Sequence, residues 1–208
     1  MQELWSQFFA EIAATSLPVW TAVILGVVQV LLARSNNILL YPAGIISSGI
    51  FVWIFIEAML YAESALNAYY VIMSIYGWWY WARKKTKPLV PITESNQKDK
   101  LTATTIVVAG TLTIWWVLST CTNSNVPFWD ALVSATAWAG MWLLARRKIE
   151  NWILLNISNA FAVPLLFYKH LPLSALLTVF LFIIAVLGYF KWKRIIQQED
   201  DGNDLEMA

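Results

Sequence analysis

The sequence predicts an all-α integral membrane protein of seven transmembrane helices, arranged as two parallel three-helix units joined by a linker helix, with the amino terminus outside and the carboxyl terminus inside. Three observations predict it. Of 208 residues, 59% are hydrophobic and 13% charged, against roughly 45–50% and about 25% in soluble domains. The hydrophobic residues arrive in separate blocks, each near the ~20 residues that a helix needs to cross a hydrocarbon core ~30 Å thick. Almost every basic residue falls on one side of those blocks.

In residues 1–17, Leu4, Phe8 and Ile12 recur every fourth position with Trp5 and Phe9 beside them, while Glu3, Gln7 and Glu11 lie elsewhere. That pattern reads as an amphipathic segment lying on the membrane. It has neither a basic n-region nor an unbroken apolar stretch, so no cleaved leader is expected. Apolar spans follow at 18–33, 38–57, 65–82, 102–121, 128–145, 152–168 and 173–191. They divide the chain into a first three-helix unit (18–82), a cytoplasmic loop (83–101), a linker helix (102–121), a second three-helix unit (127–194) and an acidic cytoplasmic tail (195–208) with little to bury.

Numbering the connections alternately, one side receives Arg34, Arg83 to Lys100, Arg146 to Lys148 and Lys191 to Arg194, thirteen of the 14 basic residues; the other receives Lys169. An excess of Lys and Arg belongs to the cytoplasmic side. An even number of spans would put the two central basic clusters on opposite faces, so the asymmetry supports the count as well as the direction.

The chain also resembles itself. Pro18-Val-Trp20 and Leu31-Leu-Ala-Arg34 bracket the first span as Pro127-Phe-Trp129 and Leu143-Leu-Ala-Arg146 bracket the fifth. Asn36-Asn-Ile-Leu-Leu40 and Asn151-Trp-Ile-Leu-Leu155 open the second and sixth, and Gly77 and Trp81 close the third as Gly188 and Trp192 close the seventh, at separations of 109 to 115 residues. The fourth span returns the chain to its starting face, so the repeats are parallel. Transporters built from parallel repeats hold their substrate near the midplane between the two units.

Polar residues in that region are the candidate site. On the sixth span Trp152, Leu155, Asn156 and Asn159 fall on one helix face. On the third, Asn67, Tyr70, Ser74 and Trp78 share the same kind of spacing within a very aromatic run. The amides can hydrogen-bond a ligand or can hold helices together; Trp79 and Trp81, next to Arg83, read as an interfacial aromatic belt. Aromatic faces with amides suit a flat polar or cationic ring carrying hydroxyls. One histidine, His170, and one cysteine, Cys121, build neither a metal site nor an intramolecular disulfide. No catalytic residue, cofactor, metal or nucleic-acid partner is expected. No Walker A pattern occurs, which leaves passive movement down a gradient as the simplest mechanism.

Tyr76-Gly-Trp-Trp-Tyr-Trp81, Pro127-Phe-Trp-Asp130, and Glu150-Asn-Trp-Ile-Leu-Leu followed by Asn159 resemble the Pnu vitamin transporters over residues 18 to 194. The resemblance implies a 3+1+3 arrangement similar to SWEET sugar transporters, a homotrimer in the bacterial inner membrane, and facilitated diffusion of a vitamin that a cytoplasmic kinase traps by phosphorylation. The family's Trp-x-x-Trp-x-x-x-Asn pattern, which contacts nicotinamide riboside, matches here at Trp152 and Asn159, with Leu155 replacing the middle tryptophan; Ser74 stands where nicotinamide riboside carriers often have Asn. Those departures raise thiamine, another flat cationic vitamin, beside nicotinamide riboside. A sugar carrier of the SWEET kind is the alternative.

Overall fold

The computed structural model describes residues 9, 12, 13, 15–59, 61–83, 91–122 and 124–206, so most of the expected amphipathic segment and residues 84–90 lie outside it. Seven helices follow one another in the described chain: α1 (Leu17–Arg34), α2 (Leu40–Glu57), α3 (Tyr61–Ala82), α4 (Gln97–Cys121), α5 (Pro127–Ala145), α6 (Asn151–Tyr168) and α7 (Pro172–Glu206). Each overlaps one of the expected spans, with α2 starting two residues inside the expected 38–57. Five of them, α1, α2, α4, α6 and α7, are long and apolar enough to cross a membrane. In the other two the hydropathy average is lowered by the tyrosines, serines and Asn67 of α3 and by Asp130, Ser134, Thr136 and the tryptophans of α5.

Two boundaries differ from expectation for local reasons. Helix α4 begins a full turn before the apolar block because Asn96 and Asp99 form a capping box: Asn96 Oδ1 accepts from Asp99 N at 2.8 Å and Asp99 Oδ2 accepts from Asn96 N at 3.3 Å. Helix α7 continues beyond its membrane-length stretch into the expected tail, where Ile195 and Ile196 pack against the buried aromatic cluster described below. Helices α1 and α5 both open with proline in the first turn, where the missing N–H costs nothing.

Neighbouring helices form a closed ring in the order α1, α2, α3, α5, α6, α7 and back to α1, with α4 outside it against α5. Features of the first three helices recur 111 residues later, the separation of Asn36 and Arg147. Ser47 donates to Ala22 O and Ser158 to Val133 O, each at 2.8 Å. Trp81 Nε1 donates to Leu144 O at 3.3 Å, as Trp192 Nε1 does to Ala33 O at 3.0 Å. Asn36 and Arg147 both take positive φ, 54° and 57°, as do Met59 and His170 at 58° and 57°. Each pair closes equivalent turns.

Trp81 is therefore no belt residue. It is completely buried in a four-ring cluster at the basic end of the ring, the end bearing Arg34, Arg83, Arg146 and Lys191. Tyr41 meets Trp81 edge-on at 5.1 Å, Trp152 meets Trp192 edge-on at 5.6 Å, and Trp81 and Trp192 join the two pairs at 6.2 Å. Trp79, by contrast, is exposed beneath the Arg83 guanidinium, 4.6 Å from its centroid.

Candidate substrate site

Inside the ring, above the four aromatic rings, lies a cavity of about 310 Å³ to which α1, α2, α3, α5, α6 and α7 all contribute. That is at the small end of the range for ligand sites. Its floor at the basic end is Ala33, Leu144 and Trp152; Phe51, Met141 and Leu181 line its sides. Polar lining comes from Gln29, Ser47, Ser48, Tyr70 and Trp152. Ser47 is committed to the α1 backbone, and Trp152 Nε1 is buried without a partner. The Gln29 amide and the hydroxyls of Ser48 and Tyr70 make no hydrogen bond to the described chain. Stranded donors and acceptors in an apolar setting cost free energy unless water or a ligand meets them.

Of the expected site residues, Tyr70, Trp152 and Leu155 come together on this cavity. Leu155, in place of a tryptophan, packs so closely on α5 that a Cβ added to Gly140 would meet its Cδ2 at 2.9 Å. Asn159 continues the Trp152–Leu155 stripe away from the basic end and is half-buried, without a hydrogen bond to the described chain. Ser74 is fully buried with an unpartnered hydroxyl and does not line the cavity. Asn67 donates to Glu63 O, 2.9 Å away in its own helix, and Trp78 is 43% exposed on the outside of α3. Asn156 faces a separate cleft between α6 and α7; with its amide rotated, it donates to Phe182 O at 3.0 Å and accepts from Val186 N at 3.3 Å. That geometry clasps α7 with one donor and one acceptor of the amide.

Gln29 and Ser48 are lining residues outside the sequence expectation, because they lie on α1 and α2, whose apolar runs carry no polar stripe. A signal was present: Gln29 is the sole amide in the run Leu25-Gly-Val-Val-Gln-Val-Leu-Leu, and a lone amide inside a membrane span needs a hydrogen-bonding partner, from a neighbouring helix or from a ligand.

Below the aromatic floor sits a charged layer. Arg147 is only 2% exposed; its Nη2 donates to Asn36 Oδ1 at 2.6 Å and its guanidinium lies 4.2 Å from the Trp81 centroid. Burial lowers its pKa to about 10 against the opposing pull of Tyr41 and Glu199, so it stays protonated at neutral pH. The segment before α4 straps this turn: Thr93 N donates to Arg147 O and Ile149 N to Thr93 O, both at 3.1 Å, while Glu150 accepts from Ser95 N at 2.8 Å and Ser95 Oγ at 2.6 Å. Asp99 pairs with Lys148 at 3.0 Å and Arg146 at 3.6 Å. Burial pushes the Asp99 carboxyl up, but hydrogen bonds from Lys148 and the Asn96 cap, with the charges of Lys148 and Arg146, outweigh it and hold the pKa below its ordinary value. The described contacts put no such strap on the matching turn at 35–39; Arg147 to Asn36 is the polar tie between the two turns.

Residues 16–194 match the family described as nicotinamide mononucleotide transporter. Among curated proteins, the nicotinamide riboside transporter PnuC of Escherichia coli (strain K12) is 24% identical over 195 residues, covering 81% of this chain and 82% of that one, and its Shigella flexneri counterpart matches equally. A crystal structure of the vitamin B3 transporter PnuC shares the fold, with a TM-score of 0.69 at 23% identity over 94% of this chain and 88% of that one. The ring of helices, most of them long and apolar enough to cross a membrane, the match along nearly the whole chain and the motifs at Tyr76–Trp81 and Trp152–Asn159 converge, and the chain is a multi-pass membrane protein belonging to the Pnu family, the nicotinamide mononucleotide transporter family.

Proposed function

We propose that this chain carries a flat cationic vitamin across the membrane by facilitated diffusion, with nicotinamide riboside or thiamine as substrate, and that a cytoplasmic kinase traps the vitamin by phosphorylation. The observation that carries the reading is the central cavity lined by six helices, four of which, α1, α2, α3 and α6, bring to it Gln29, Ser48, Tyr70 and Trp152, hydrogen-bonding groups without partners in the described chain. A cationic ring gains attraction from the Trp152 face, and hydroxyls on the same molecule answer Ser48 and Tyr70. Asn159, Asn67 and Ser74 belong to this reading as groups that meet substrate along its path. Replacement of a second tryptophan by Leu155 favours thiamine as much as nicotinamide riboside. None of the described lining residues is a carboxylate, which suits uniport over coupling to protons or sodium.

The same reading takes all seven helices as spans in a 3+1+3 arrangement with the basic end in the cytoplasm of a bacterium and the protein a homotrimer. Recurrence of hydrogen bonds, turns and aromatic pairs at a separation of 111 residues supports two equivalent units, and the basic bias supports the orientation. Transport then consists of the units rocking at their two seams, α3 against α5 and α7 against α1, with the four aromatic rings and the Arg147–Asn36 tie closing the cytoplasmic end. Counterflow of radiolabelled vitamins in proteoliposomes tests the function. Exchange of nicotinamide riboside or thiamine, insensitive to ionophores that collapse proton and sodium gradients, is expected; sugar exchange without vitamin exchange would overturn it.

A further inference from the structure

Gln29 is the only side-chain amide among the described lining residues of the central cavity, and a glycine sets its position. A Cβ built on Gly44 would meet the Gln29 Nε2 at 2.5 Å and Cδ at 2.7 Å, so the amide lies against the α2 backbone only because Gly44 has no side chain. In the second three helices the arrangement is inverted: the glycine, Gly140, is on α5 and the large residue, Leu155, is on α6. The two glycines therefore give the cavity one polar shoulder, Gln29, and one apolar shoulder, Leu155. An otherwise symmetric ring acquires a direction in which a ligand must lie.

A primary amide presents a donor and an acceptor side by side in one plane. The partner that satisfies both at once carries the complementary pair in its own plane: a carboxamide, or an amino group next to a ring nitrogen. Sugar hydroxyls are not held coplanar in that way, and a carboxylate offers acceptors only, setting one of its oxygens against the Gln29 oxygen. We infer that Gln29 is a specificity-determining residue, making a two-point pair with the coplanar donor–acceptor edge of a heteroaromatic substrate whose ring lies against Trp152, and that Gly44 positions it. The inference rests on the vitamin reading above and specifies which edge of the vitamin is recognised.

Equilibrium binding of radiolabelled nicotinamide riboside, nicotinic acid riboside and thiamine to the full chain in nanodiscs tests it. Gln29→Met keeps size and flexibility while removing both hydrogen-bonding groups, and Gly44→Ala drives the amide off its seat. Each is expected to weaken binding of the preferred vitamin by about 10- to 100-fold, the scale of stranding a buried hydrogen-bonding edge. Gly49→Ala, on the same helix where nothing lies within 4 Å of an added Cβ, is expected to leave binding unchanged. If nicotinamide riboside is the ligand, nicotinic acid riboside binds at least ~10-fold more weakly. Gln29→Met binding within about threefold of the unaltered chain, or equal binding of the carboxylate analogue, overturns the inference while the transport reading stands. Failure of the unaltered chain to bind either vitamin overturns the transport reading itself.

Discussion

Removing the Asn36 side chain should open the basic end of the cavity. Asn36 Oδ1 accepts from the buried Arg147 guanidinium at 2.6 Å, and a hydrogen bond to a charged group contributes about 1.5–3 kcal/mol. Arg147 already carries two buried nitrogens, Nε and Nη1, without partners, so loss of this acceptor leaves the guanidinium without a hydrogen bond among the described residues, with the Trp81 face and the pull of Glu199 remaining. Asn36 also sits at φ 54°, where alanine is strained by roughly 1–2 kcal/mol and glycine is not. Asn36→Gly therefore isolates the side-chain bond, and Asn36→Ala adds backbone strain to it. If the bond exists only while the basic end is closed, its loss shifts the closed–open balance by about 10- to 100-fold, since each 1.4 kcal/mol is tenfold in an equilibrium constant. The reporter is a cysteine at Ser48, close to serine in size and facing the cavity, in a chain whose exposed Cys121 is replaced by alanine. Labelling by a membrane-impermeant maleimide applied from the basic side should accelerate in Asn36→Gly by that factor. Equal labelling rates with and without the Asn36 side chain would refute the tie as a closing element.

Other perturbations separate packing from recognition. A Cβ at Gly188 would lie 2.8 Å from the Trp152 ring and one at Gly77 2.6 Å from Tyr41 Cζ; each alanine should cost about 1–3 kcal/mol in thermal stability, but only Gly188→Ala, by pushing the cavity wall, should weaken vitamin binding. Asn156→Leu should lower the melting temperature in detergent and leave affinity unchanged, whereas Asn159→Ala should lose vitamin binding with the molecular mass by light scattering unchanged. Because the folded Asp99 pKa lies below its ordinary 3.8, the strap on the 146–150 turn is stabilised at neutral pH and loses that contribution as pH falls below 3.8 through the folded value. Asp99→Asn should remove this acid-dependent part of the melting temperature, and an unchanged pH profile would contradict it.

The helices were legible because each apolar block had to be about one membrane thick, and Pro18, Pro127 and the Arg34 and Arg146 turns mark their ends plainly. Their internal likeness was legible too, although sequence matching spread the separation over 109 to 115 residues. The structural counterparts fall at 111, so Asn36 answers to Arg147 and not to Asn151. The start of α4 escaped a search for apolar runs because a cap, Asn96 with Asp99, and not hydropathy fixes it. In the site, Trp152 and Leu155 were found and Gln29 was not. A face defined by positions i, i+3, i+4 and i+7 is wide enough to touch two neighbouring helices, and α6 lies between α5 and α7. Which neighbour takes Asn156 and which half of the face meets the cavity depends on how the ring closes, a property of helices far apart in the chain.

A vitamin held in the cavity that six helices line must shield Ser48 from solvent. Protection of the Ser48 cysteine in the Cys121→Ala chain measures this directly, with the labelling rate followed against vitamin concentration in proteoliposomes that also report counterflow. Nicotinamide riboside or thiamine, but not glucose, should slow labelling, with half-protection at the concentration that half-saturates exchange. Vitamin exchange with no slowing of labelling at any concentration would contradict binding in this cavity and place the transported molecule elsewhere.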